Sequence, residues 1–240
     1  MIDVESLLNK LRNAIHPFRG KIAIAFSGGL DSSVIAKIAS EEATPILYTV
    51  GLKGCKDFEA AESAARLLNL SLRKIEVTEA EVRSAAPLLA QVIANDNKII
   101  VSYELPLWFV CKNCQERTVL TGQGADELFG GYAKYGKISG KELDDEMKKD
   151  AQELKERGSA FDRAIAAKFG KELVIPFLDS NVFEFALYLP LKEKISDGTN
   201  KILLRDVADL LGLGDIAKRK KRAAQYGSGI AKALRKQARI

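Results

Sequence analysis

Two rhythms of apolar and polar residues run along this chain. Four short β-branched runs, "KIAIAF" (21–26), "PILYTV" (45–50), "LRKIEV" (72–77) and "RTVLTG" (117–122), are bounded by Gly, Pro or charge and predict strands. Helical spacing fills the intervals at 32–42, 57–68, 79–94 and about 99–115, and an amphipathic helix, "MIDVESLLNKLRNAIH", precedes the first strand. Strand–helix alternation of this kind predicts a parallel sheet covered by helices on both faces. From 140 onward the spacing is helical, at 141–157, 159–169, 179–188, 200–211 and 229–238, and no strand is predicted. The expected fold class is α/β: a sheet-containing core over residues 1–135, then a helical part over 136–240 packed on it.

Ligands of open parallel sheets sit at the carboxyl ends of the strands. Two glycine-rich turns fall at that edge, "SGGLDSS" after residue 26 and "TGQGADELFGGY" after residue 120. In the first, Gly28 and Gly29 let a ligand approach the main chain, and the helix that opens there offers free N–H groups to phosphate. Ser27, Ser32 and Ser33 add hydroxyls. Asp31 would repel a bare phosphate, so its presence points to a divalent cation bridging to one. Neither a Walker loop, GxxxxGK[ST], nor the dinucleotide fingerprint GxGxxG fits, since "GQGADE" has Glu127 where the third glycine belongs. The plainer alternatives are a helix cap containing glycines and, for Asp126 and Glu127, acids that start a helix.

"SGGLDSS" resembles the pyrophosphate loop of the PP-loop ATPases, which split ATP between its α and β phosphates. Within them, "LTGQGADELFGGY" and "IPFLD" resemble the synthetase domain of asparagine synthetases and relatives such as β-lactam synthetase. The resemblance runs from about residue 20 to about 230 and takes in "TVGLKGCKDFEAAESAARLL", "FDRAIAAKFGKELVIPFLD", "NKILLRDVA" and "KRKKRAAQYGSG". It implies an ATP-dependent, AMP-forming ligase that adenylates a small-molecule carboxylate and joins it to ammonia or an amine. It further implies pyrophosphate held by Ser27, Gly28, Gly29, Ser32 and Ser33, with Mg2+ on Asp31 and Asp126. Val50 and Gly122 would flank adenosine, and Lys221 would stabilise charge on the α-phosphate.

Three departures from the family pattern bear on the substrate. The chain begins Met1-Ile2, without the amino-terminal cysteine nucleophile of a glutaminase. The amine is therefore expected to be free ammonia, to come from a separate glutaminase chain, or to belong to the substrate. Gln123 stands where asparagine synthetases have glutamate, and an amide cannot act as a base; Glu104 is the alternative proton acceptor. The stretch "KIIVSYELP" lacks the family's arginine, and Val174 stands where another arginine is usual, so aspartate is not the expected acid.

Charge adds one feature. Of 37 Lys/Arg, nine fall after residue 215 among no acids, so a basic tail from about 216 follows a mildly acidic body. Such a tail suits polyphosphate, RNA or an acidic partner, or else is a solvated terminus. No signal peptide or membrane span is predicted, which places the protein in the cytoplasm. Cys55, Cys111 and Cys114 do not make a disulfide framework. They carry a second reading, a tRNA-modifying enzyme that adenylates a base and delivers sulfur, with a cluster at the carboxyl edge; otherwise they are small buried residues. A third reading is a nucleotide-binding subunit active only with a partner. Asp162, Arg163, Asp179 and Arg205 are expected to form ion pairs between the helical half and the core, and His16 and Trp108 to be packing residues.

Overall fold

Alternation within each strand decides how this sheet is covered. The computed structural model describes residues 2–219 and 227–235. Its first half runs α1 (Ile2–Ile15), β1 (Lys21–Ala25), α2 (Leu30–Ala39), β2 (Thr44–Leu52), α3 (Lys56–Leu68), β3 (Ser71–Val77), α4 (Glu79–Val92), α5 (Lys98–Asn113), β4 (Thr118–Leu120) and α6 (Ala125–Phe129). The second half runs α7 (Gly140–Glu153), α8 (Ser159–Lys168), β5 (Glu172–Val174), α9 (Ser180–Leu187), α10 (Leu191–Lys194), β6 (Ile195–Ser196), β7 (Thr199–Asn200), α11 (Ile202–Leu210), α12 (Gly214–Ala217) and α13 (Ile230–Arg235).

Five parallel strands pair in the order β3-β2-β1-β4-β5. Ile22, Ile24, Leu47 and Leu120 point to one face and pack with α1, α2, α3, α9 and α11. Ala23, Ile46, Tyr48, Val50 and Val119 point to the other and pack with α4, α5, α8 and α13. Strands buried on both faces in this way need apolar residues at successive positions, which is what the β1 and β2 runs supply. The α/β reading, helices on both faces of a parallel sheet, is the observed architecture.

The second half is not strand-free. Glu172–Val174 adds β5 to the edge of the sheet beside β4, with Thr121 N–H donating to Val174 O at 3.2 Å. Three residues stopped by Pro176 are too few to carry a period. A small hairpin, β6 with β7, turns at Asp197-Gly198, both at positive φ (+49° and +72°). Asp-Gly is the residue pair that a two-residue hairpin turn favours. This hairpin delivers the chain to Lys201.

Successive connections lead outward from β1 through β2 to β3, then return across the sheet to β4 and on to β5. The order therefore reverses between β1 and β4, and an open α/β sheet leaves a crevice at such a point. Both glycine turns leave the carboxyl ends of these two adjacent strands.

Candidate nucleotide and metal site

After β1 the chain makes its first turn at Ser27-Gly28-Gly29. Gly28 adopts φ +71°, and a Cβ there would lie 2.5 Å from the Ala60 carbonyl oxygen and 2.7 Å from Ala61 Cα on α3. Only glycine fits that seat. Gly29 forms the N-cap of α2 without a side-chain cap. The Gly29 N–H instead donates to Ser27 Oγ at 3.3 Å, and Ser32 Oγ donates back to Gly29 O at 3.3 Å. Ser33 is fully buried, and its Oγ has no hydrogen-bond partner among the described residues. A serine-lined helix start with such a hydroxyl suits an anion rich in acceptor oxygens.

The second turn abuts the first. A Cβ on Gly122 would lie 3.1 Å from both Asp31 Cβ and Ser32 N, so the two turns touch backbone to backbone. Gln123 N–H donates to Thr121 Oγ1 at 3.3 Å, and Gly124, at φ +94°, opens α6. Asp126 and Asp31 then meet on the Lys201 ammonium. Lys201 Nζ lies 2.5 and 2.6 Å from the two Asp31 oxygens and 2.6 Å from Asp126 Oδ1. The Lys201 side chain is 3% exposed, while each aspartate keeps about a fifth of its side chain open to solvent. Burial alone would lower the lysine's pKa, but the two carboxylates overcome it and raise it.

Lys201 was not singled out among the sequence candidates. Its own backbone sits at φ +57°, with N–H donating to Phe129 O at 3.0 Å, directly after the hairpin. Gly131 lies flush against the cluster: a Cβ there would overlap Asp126 Oδ1 and lie 2.5 Å from Lys201 Cε. Behind Asp126, Tyr132 Oη donates to the buried Glu127 at 2.6 Å, and burial pushes the Glu127 carboxyl up to about 7.

Val50 lies on β2 beyond the end of β1. Tyr48 O accepts from Phe26 N–H (2.8 Å) and Ser228 O accepts from Leu52 N–H (2.9 Å). By the period of two, the Val50 backbone faces the same side, between the Phe26 and Ser228 contacts. Lys221 lies outside the described residues. Of the described residues to either side of it, Arg219 donates to Ser63 Oγ on α3 at 2.9 Å, and Ser228 O accepts from Leu52 N–H on β2.

Other candidates are placed elsewhere. Glu104, buried on α5, hydrogen-bonds the buried Asp162 of α8. Burial and the neighbouring Asp162 raise its pKa well above the usual carboxylate range. Cys111 and Cys114 end α5 and lead into the amino end of β4, whereas Cys55 caps α3 at the carboxyl side of β2. The three therefore sit at opposite edges of the sheet. Among the described residues no group of three or more His, Cys, Asp or Glu side chains converges to hold a metal. Burial pushes the Cys111 thiol up to about 12 and raises Cys114, which keeps both as unreactive thiols.

The expected ion pairs take other forms. Arg205 donates to the Asn200 carbonyl at 2.7 Å and to Asn200 Oδ1 at 2.9 Å, while Asp179 caps α9 by accepting from Asn181 N–H at 3.0 Å. Trp108 is buried with an edge contact to Phe169, as expected of a packing residue. His16 is not one; its side chain is exposed beside Arg19 and Glu42. No helix among the described residues is long and apolar enough to cross a membrane.

Two carboxylates converging beside a serine-lined helix start form a hard-oxygen donor set, which fits Mg2+ better than a soft metal. Comparison with known proteins finds relatives along most of the chain. The asparagine synthase family model matches residues 9–161 and 138–239. A putative glutamine-hydrolysing asparagine synthetase of Methanocaldococcus jannaschii is 35% identical, over 91% of this chain and 48% of its own length. The glutamine-hydrolysing asparagine synthetase B of Escherichia coli is 26% identical, over 86% of this chain and 41% of its own. This chain thus spans about half the length of these relatives. Among solved structures, an NMN synthetase of Francisella tularensis aligns with a TM-score of 0.40 at 16% identity, covering 99% of this chain and 93% of that one.

Proposed function

This chain belongs to the asparagine synthase family, and from that premise we propose that it is an ATP-dependent ligase. It activates a small-molecule carboxylate as its adenylate, releases pyrophosphate, and transfers the acyl group to ammonia or a substrate amine. The observation that carries this reading is the meeting of Asp31 and Asp126, from the two glycine turns, at the switch point of the sheet.

The roles follow from position. The Gly29 end of α2, with Ser27, Ser32 and Ser33, binds the β and γ phosphates so that they depart together. Gly28 lets the first turn rest on α3, and Gly122, beside adenosine, lets the two turns meet. Asp31 and Asp126 are the residues that would hold Mg2+, which when bound neutralises charge on the departing pyrophosphate. The main chain at Val50 receives adenosine between the Phe26 and Ser228 contacts. A carboxylate oxygen of the acid then bonds to the α-phosphorus as the bond to pyrophosphate breaks. In the second step the amine nitrogen bonds to the acyl carbon, AMP leaves, and the amine proton passes to a phosphate oxygen of the products. Gln123 orients the amine as a hydrogen-bonding amide.

Exchange of labelled pyrophosphate into ATP, run across a panel of carboxylic acids, tests this directly. Exchange that needs Mg2+ and one acid, and is abolished by Asp31→Asn, is the expected result. Formation of ADP and phosphate instead overturns the reading.

A further inference from the structure

The two acids that would hold the metal already hold a cation of the protein's own. We propose that Lys201 is an internal counter-ion that bars free divalent metal from Asp31 and Asp126, so that metal enters this site only together with nucleotide. The inference rests on the ATP-dependent reading above and adds the order in which the site fills.

Three observations support it. The ammonium makes three contacts of 2.5–2.6 Å that span both carboxylates, from turns that touch each other. It cannot be brushed aside in solvent: Lys201 is 3% exposed, its backbone is fastened to Phe129 O, and Gly131 presses against its Cε. A bare metal ion entering here would have to break those contacts and leave a buried ammonium beside a second positive charge, with no new anion to receive it. Stranding a buried charge in this way is costly. A polyphosphate arriving with the metal changes the balance, because it brings acceptor oxygens to which the displaced ammonium can turn.

Manganese(II) is the probe, followed by its electron paramagnetic resonance signal and by calorimetry. The full chain and a Lys201→Met variant are titrated with and without α,β-methylene-ATP, which cannot release pyrophosphate. The wild-type protein is expected to take up Mn2+ only when the nucleotide analogue is present. Lys201→Met is expected to take it up without nucleotide, more tightly than wild type by roughly a hundredfold, the scale of a broken buried ion pair. Adding Asp126→Asn to that variant removes the gain.

Equal uptake by both proteins without nucleotide overturns the proposal. So does a variant that gains nothing while still binding metal with nucleotide. If Lys201→Met does not fold, the wild-type protein decides: uptake without nucleotide overturns the proposal, and uptake only with nucleotide upholds it. Failure of the wild-type chain to bind Mn2+ under any condition is a different result. It removes the metal reading of the site, and this proposal with it.

Discussion

Gly131 shows how little room the ion cluster leaves. Any Cβ at this position overlaps Asp126 and crowds Lys201. Gly131→Ala is therefore expected to push Asp126 off the lysine and to cut pyrophosphate exchange at least as strongly as it lowers stability. Melting and exchange measured on the same preparation check this. A second residue-scale outcome concerns Glu104 and Asp162. In an unfolded chain Glu104 titrates near 4.5, but burial raises it in the fold, so the folded protein keeps a proton that the unfolded chain loses. The stability from this group is complete below 4.5 and is lost as pH rises toward its folded value. Denaturant titrations from pH 6 to pH 9 are expected to show stability falling with pH, with a shallower fall in Glu104→Gln. At pH 8 that variant is expected to gain on the order of 1–2 kcal/mol, because it keeps a donor facing Asp162 without a titrating proton. Sequence spacing exposed Asp31 and Asp126, since both stand inside glycine turns. Lys201 was not legible there: its role depends on a left-handed backbone and a fold-wide closure, neither of which leaves a periodic trace.

At the scale of elements, the glycine turns work because of what they rest on. The first turn leans on α3 through Gly28, and the second leans on the first through Gly122. Gly28→Ala would force a left-handed residue into the Ala60 carbonyl. It is expected to cost about 1–2 kcal/mol for the backbone alone, with steric cost added. Nucleotide affinity is expected to fall further than stability does, as the turn is pushed toward the phosphate position; calorimetry with an ATP analogue separates the two. The long elements were readable because burial on both faces of β1 and β2 demands continuous apolar runs, and because α3 and α4 carry strong helical spacing. "ELV" before a proline is too short to show a period, so β5 was missed. The β6–β7 hairpin did carry a signal, "SDGT", which the surrounding helical rhythm concealed.

Across the whole molecule, the segment 227–235 returns to the sheet. Ser228 bonds the end of β2, and Ile230, Ala231 and Ala233 are buried as α13 packs on α4 and α5. Removing residues 227–240 uncovers that helix face and frees the β2 edge beside Val50, where adenosine is proposed to bind. Burial of one isoleucine and two alanines suggests a loss of about 3 kcal/mol, to be read from denaturation midpoints. The protein is also expected to need more ATP for half-maximal exchange. The opposing charges of body and tail were plain in the sequence; where the end of the chain docks was not, because a short helix with three small or apolar contacts gives no hint of its target.

The salt bridge between Lys201 and Asp31 joins residues 170 positions apart, and this has a temporal side. During synthesis at ~5–20 residues per second, Asp126 leaves the ribosome several seconds before its ammonium partner is made. For that interval the β1–β4 crevice would have to bring two acids together without the Lys201 ammonium. Translation up to Lys201 thus decides when the centre of this sheet can close, and a nascent chain stalled short of Lys201 is expected to remain open to proteases at that crevice.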